Sequence, residues 1–283
     1  MQARDESNPS QSGASERAAA RVGDVSLDGV VGAPEASQLP AWFVAASQGM
    51  AWFETLRVED GRLLRVERHA ARATRAAREL GVELPQAWTE WARELARGLP
   101  RGVHALRATF LAAPGVPGRA RVVCEARAVE PAPSVARLAL VARHDRPDDP
   151  LRAHKLHARL AWTRARDQAR ALGAFDALLL DREGHVAEGT IGCALLVVDG
   201  VVRAPRRGGL EGIGRALALE AARALGASVD EGPLALDELR RAEALVLANA
   251  VRECLAIDEV LHGLRFPRSR EVAQAWNARL PRA

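Results

Sequence analysis

The sequence predicts a chain that folds as two domains, α+β in its first half and α/β in its second. Two observations carry this. Up to about residue 142, strand-like runs bounded by turn residues dominate; beyond Pro147-Asp148-Asp149-Pro150, helical spacing and short apolar strands alternate. With 283 residues, 48% of them hydrophobic, each half is long enough to bury a core of its own.

Taken in order, residues 1–22 mix Ser, Gln, Asn, Pro and Ala without a hydrophobic period, the composition of a disordered tail. VSLDG, from Val25, reads as a short strand entering a turn, and an apolar segment surrounds Trp42 and Phe43. MAWFETLRVEDGRLLRV gives two strand-like runs around Glu59-Asp60-Gly61, a hairpin pattern. His69 to Leu80 has helical spacing, with Ala70, Ala73, Ala77 and Leu80 as its apolar side and Gly81 as its stop. A second helix covers Gln86 to Gly98. VHALRATFLAA and RARVVCEARAV, parted by PGVPG, and then VARLALVA read as strands. Two prolines and two aspartates at 147–150 disfavour helix and strand alike, so the division falls there: an N-terminal α+β domain over 23–146, a linker over 147–150, and a C-terminal α/β domain over 151–283. Within the second, a helix is expected from His154 to Leu172, ended by Gly173. DALLLD and CALLVV are strands, Ile213 to Leu225 is a helix, and EALVLANA is a buried strand with a turn at its end.

Composition narrows the function classes. No stretch approaches the ~20 apolar residues of a membrane span, and the N-terminus lacks the order of a secretory signal, so a cytoplasmic protein without membrane contact is expected. Cys124, Cys193 and Cys254 are odd in number, far apart and without CxxC spacing, which suggests neither disulfides nor a metal site. The net charge of +4 is small. Arg65, Arg68, Arg72, Arg75 and Arg78 recur at steps of three and four and read as one solvated helix face, with no aromatic ladder beside them to suggest nucleic acid.

The basic residues hold the sharpest signal. Among 40 Lys and Arg, Lys155 alone is a lysine. A guanidinium stays protonated, whereas a primary amine in a sheltered pocket can lose its proton and condense with an aldehyde, which makes Lys155 the candidate for a Schiff base.

Four segments in order, FETLRVEDGRLLRVERHAARA, HKLHARL, REGHVAEGTIGCALLVVDG with GGLEGIGRALALEAA, and EALVLANAVREC, resemble the class IV (fold type IV) pyridoxal-phosphate enzymes: branched-chain aminotransferases, D-amino acid aminotransferases and aminodeoxychorismate lyases. The likeness runs from about Val25 to Asp258. It implies a D-amino acid aminotransferase-like fold with pyridoxal 5'-phosphate at the domain interface, a small amino substrate and a homodimer. By the same resemblance Lys155 and Glu188 are catalytic, Lys155 joining the cofactor and Glu188 keeping the pyridine nitrogen protonated so that the ring withdraws electrons. The phosphate would rest on Ile213 and Gly214 at a helix N-terminus, on Asn249-Ala250 in LANAV, and on Arg72 in HAAR, the H-x-x-R pattern whose His69 reads as structural. Thr55, Arg107 and Arg159 are the substrate-binding candidates, Arg107 as a carboxylate clamp on a strand and Arg159 one helical turn from Lys155.

Within the family, Thr55 in FETLRV and the arginine four residues after the lysine resemble the lyase branch. Aminotransferases often carry a tyrosine five residues after the lysine; here that residue is Leu160, and the chain has no tyrosine. The resemblance therefore implies conversion of 4-amino-4-deoxychorismate to 4-aminobenzoate and pyruvate, with an aminotransferase as the alternative. Two positions depart from the pattern: Cys193 stands where the family usually has asparagine, and Gly49-Met50-Ala51 replaces GDG. These departures leave open a catalytically impaired homologue acting as a binding module.

Overall fold

A computed structural model describes residues 25–27, 30–32, 49–112, 118–142, 153–205 and 210–282. The expected tail, the segment around Trp42 and Phe43 and the expected linker lie outside them.

The first half is built on one antiparallel sheet. Its strands are β1 (Val25–Leu27), β2 (Val30–Gly32), β3 (Ala51–Glu59), β4 (Arg62–Leu63), β5 (Val103–Ala112) and β6 (Ala120–Ala128), in the order β2-β1-β6-β5-β3-β4. The β3–β4 hairpin is as the sequence predicts: Asp60 and Gly61 both take positive φ, which a two-residue turn matched to strand twist demands. Strand alternation sorts the side chains onto two faces. Trp52, Leu56, Val58, Leu106, Ala108, Phe110, Val122 and Cys124 face a core closed by α1 (Val66–Glu79) and α2 (Trp88–Arg97). The opposite face carries Phe53, Thr55, Arg57, Arg107 and Arg127, where no helix packs among the described residues.

The second half stacks two sheets between helices. One sheet holds β7 (Arg137–Ala142), β8 (Asp176–Leu180) and β9 (Val186–Gly189), with α3 (Leu160–Ala171) as the crossover joining parallel β7 and β8. The other holds β10 (Cys193–Val198), β11 (Val201–Pro205), β12 (Val229–Gly232), β13 (Ala244–Asn249) and β14 (Glu253–Ile257), with α4 (Ile213–Ala224) and α5 (Leu236–Arg241) between its strands. Strands β15 (Glu259–Val260) and β16 (Leu264–Arg265) return to the edge of the first, and α6 (Ser269–Asn277) closes the chain. Along β10, Ala194, Leu196 and Val198 pack between the sheets while Leu195 and Val197 pack under α4 and α6, so this strand is apolar throughout because both its faces are covered.

Two expectations need correction. The helix expected from His154 begins only at Leu160: residues 155–157 are extended along β3, with Phe53 N donating to the Lys155 carbonyl at 2.9 Å and His157 N to the Ala51 carbonyl at 2.8 Å. Unpaired groups on β3 offered this segment a sheet partner, which outweighed its helical spacing. Strand β7 also lies on the far side of the expected division: it precedes residue 147 yet bonds to β8 beyond it, so the chain changes sheets between β6 and β7.

Candidate active site

The extended segment at 155–157 stitches Lys155 to the edge of the first sheet, beside the opening helix turn of the second half. Its Nζ lies 4.8 Å from the centre of the Phe53 ring. Burial drives the amine's pKa down first, the Arg159 and Arg72 charges add to that, and Glu54 and Glu188 oppose it; the outcome is about 7. With that pKa the amine is in part unprotonated near neutrality, the form that can condense with an aldehyde.

Glu188 sits on β9, where Trp162 Nε1 donates to its Oε1 at 3.2 Å. Arg159 caps α3 and lies over the Trp162 ring at 4.4 Å. Because the helix starts at Leu160, Arg159 is not one helical turn from Lys155 as expected, although its charge still bears on the amine.

Three chain segments converge where a phosphate would rest. Helix α4 begins after Gly212 with no side-chain cap, which leaves its first backbone N–H groups, those of Ile213 and Gly214 included, to an outside acceptor. Gly214 lies so close to Asn249 that an added Cβ would meet its Cα at 2.3 Å; only glycine lets the helix end sit against that turn. Asn249 Oδ1 accepts from Val251 N at 2.9 Å and Arg252 N at 2.7 Å, fixing the turn that holds Ala250. Arg72 reaches the same place from α1, Nη1 donating to the Glu211 carbonyl at 2.9 Å. An uncapped helix N-terminus, a turn fitted against it and a buried guanidinium form a donor set that suits a phosphate ester, so the residues fit the expected cofactor.

Sequence reasoning missed Glu54. Its buried carboxylate accepts from Arg72 Nε at 2.8 Å and Nη2 at 2.6 Å, and meets His69 Nδ1 at 2.6 Å. Burial alone would raise its pKa, but Arg72 and His69 outweigh that and hold it at about 2. Burial lowers the His69 pKa while Glu54 opposes that, and since an ionised Glu54 can only accept, Nδ1 is the donor to it. The signal was available: Glu54 is the middle residue of the same FET run that supplied Thr55.

The arginine stripe is a solvated face only in part: Arg68, Arg75 and Arg78 are exposed, whereas Arg65 and Arg72 are buried. Arg65 is buried against Glu253, Arg68 pairs with Glu220, Arg72 with Glu54 and the Glu211 carbonyl, and Arg75 with Glu211. Helix α1 uses these side chains to bind the second half. On the other face of the sheet, Thr55 and Arg107 are direct cross-strand partners, and Arg107 lies 3.8 Å over the Phe53 ring. Cys193 begins β10, and burial pushes its thiol up to about 12, keeping it neutral.

The family model for amino-transferase class IV matches residues 51–260. The chain belongs to that family. Pyridoxal phosphate is the cofactor of the class, as the sequence resemblance implied. The fold agrees: the PLP-bound form of a hypothetical aminotransferase from Mycobacterium tuberculosis superposes with a TM-score of 0.79 at 23% identity, over 91% of this chain and 98% of that one. The branched-chain aminotransferase of Thermoproteus uzoniensis with norvaline gives 0.78 at 25% identity, over 90% and 93%. A putative branched-chain-amino-acid aminotransferase of Methanocaldococcus jannaschii is 34% identical over 98 residues, so the match spans 34% of the length of that relative. No helix among the described residues is long and apolar enough to cross a membrane.

Proposed function

We propose that this class IV enzyme is a lyase that converts 4-amino-4-deoxychorismate to 4-aminobenzoate and pyruvate, working as a homodimer. The observation that carries the branch is Leu160: five residues after the lysine, where aminotransferases often have a tyrosine, this side chain is 71% exposed and offers no hydroxyl. Lys155 would hold the cofactor at its aldehyde, Glu188 at its pyridine nitrogen, and Arg72, the Ile213 and Gly214 N–H groups and the Asn249-Ala250 turn at its phosphate. When bound, pyridoxal phosphate supplies a ring that accepts the electron pair released at the amine-bearing carbon.

The chain's own groups do the proton work. With a pKa near 7, Lys155 Nζ takes the proton from the amine-bearing carbon and afterwards gives one to the departing pyruvate. Arg107, on the open sheet face beside Thr55, and Arg159 orient the carboxylates. Glu54 grips Arg72 through two bonds and keeps its guanidinium turned toward the helix end. Cys193 stands where the family usually has asparagine, and burial keeps its thiol neutral.

An aminotransferase is the second reading, favoured by the branched-chain aminotransferases among the similar proteins. A steady-state assay separates them: the holoenzyme should release pyruvate and 4-aminobenzoate in equal amounts with no keto-acid acceptor. Activity only with an amino donor and a keto acid overturns the lyase. In either case Lys155→Arg should fold and lose at least about 10³-fold in turnover, since a guanidinium cannot replace the amine.

A further inference from the structure

Helix α3 grips the strand that carries Glu188. Because residues 155–157 stay in the sheet and the helix starts only at Leu160, Trp162 falls in its first turn and Arg166 four residues on, along the same face. Both reach the strands beside them: Trp162 Nε1 donates to Glu188 Oε1 at 3.2 Å, and Arg166 Nε to Asp176 Oδ1 at 3.3 Å. The fully buried Asp176 also accepts the Thr190 hydroxyl. The run Glu188-Gly189-Thr190 is therefore pinned at both ends, at Glu188 to the first turn of α3 and at Thr190 to β8. Beside Glu188 the strand pairing slips, from Leu179 opposite Glu188 to Leu180 opposite Val186. A bulge of this kind re-aims the side chain next to it, so the direction of this carboxylate rests on what it bonds to.

An indole suits a carboxylate that must keep its charge. It donates one N–H, accepts nothing and does not titrate. An arginine or lysine at this position would also orient the carboxylate, but would offset the negative charge that a protonated pyridine nitrogen requires. The Arg159 guanidinium, 4.4 Å over the Trp162 ring, holds the indole from its face. We propose that Trp162 is the positioning residue of Glu188, its N–H setting the carboxylate toward the pyridine nitrogen while leaving the charge whole. The proposal rests on the reading of Glu188 as the partner of that nitrogen and adds the group that sets its angle.

The test compares pyridoxal 5'-phosphate with 1-deazapyridoxal 5'-phosphate, which has a carbon in place of the ring nitrogen, by calorimetric titration of the full chain freed of cofactor. Wild type should prefer the natural cofactor at least about tenfold, the worth of one charge-assisted hydrogen bond. Trp162→Phe keeps an aromatic ring beneath Arg159 but lacks the N–H; it should lower that preference about fivefold, with affinity for the deaza analogue unchanged. Trp162→His, which restores a ring N–H, should regain part of it. Equal weakening of both ligands in Trp162→Phe makes the indole a packing group and overturns the proposal, as does an unchanged preference there when Glu188→Gln abolishes it. A wild-type chain without the preference, or a preference that survives Glu188→Gln, overturns the reading of Glu188 and the proposal with it.

Discussion

The two halves furnish the candidate site by different means. The first contributes polar side chains locked to one another: the Glu54–Arg72 ion pair and His69 form a buried network on β3 and α1. The second contributes backbone: the start of α4 and the Asn249 turn, fitted together because residue 214 has no side chain. A site made from ionised side chains depends on pH and on each partner being present; one made from N–H groups depends on steric fit. Each half should therefore fail in its own way.

The largest effect is expected in the first half. Glu54→Gln keeps the shape but removes the charge that neutralises buried Arg72, and losing one partner of a buried pair costs about 3–5 kcal/mol. The sign of its pH dependence follows from a carboxyl pKa lowered in the fold from 4.5 to about 2. The stabilisation is fully present above pH 4.5 and is lost as pH falls toward 2, an amount of about 3 kcal/mol by linkage. Melting temperatures of the cofactor-free protein between those pH values should fall steeply for wild type and much less for Glu54→Gln. Parallel curves would mean that Glu54 is not the group that titrates.

In the second half, Gly214→Ala drives a Cβ into the Asn249 backbone, and overpacking of this kind costs about 1–3 kcal/mol. The loss should be independent of pH and accompanied by weaker cofactor binding, because α4 and the turn are pushed apart where the phosphate would rest. Gly212→Ala is the control: its φ of −67° suits any residue, and the nearest atom to an added Cβ is 3.5 Å away. Differential scanning calorimetry with and without pyridoxal phosphate should show a loss for Gly214→Ala and little change for Gly212→Ala.

The same contrast explains what could be read before the structure. Lys155 stood out because an amine is the one group among these cations able to condense with an aldehyde, provided a sheltered pocket takes its proton. The apolar strands β10 and β13 and the hairpin at Asp60-Gly61 were legible because local rules fix them. The helix start near Lys155 was misread because the competing partner, β3, lies about a hundred residues earlier. Glu54 was passed over although its partners, His69 and Arg72, were both singled out, because ion pairing across a strand and a helix leaves no spacing in the text.

The arginine stripe offers the sharpest version of that lesson and the smallest effect. Its periodicity correctly gives a helix, yet periodicity is silent on what faces it, and the acids that meet it come from 18 to 188 positions away. Along the stripe burial differs: Arg72 is 9% exposed, whereas Arg68 and its partner Glu220 are 41% and 51% exposed. Arg68 makes two bonds of 2.8 Å to Glu220, a good bidentate geometry, but water screens it and both side chains lose freedom in forming it. Arg68→Ala should therefore cost less than about 1 kcal/mol, and that cost should vanish at about 1 M salt, where the Debye length is about 3 Å. The loss caused by Glu54→Gln should survive the same salt because ions do not reach its buried partner. If chemical denaturation shows the two variants responding alike to ionic strength, burial does not divide this stripe into a structural and a screened part.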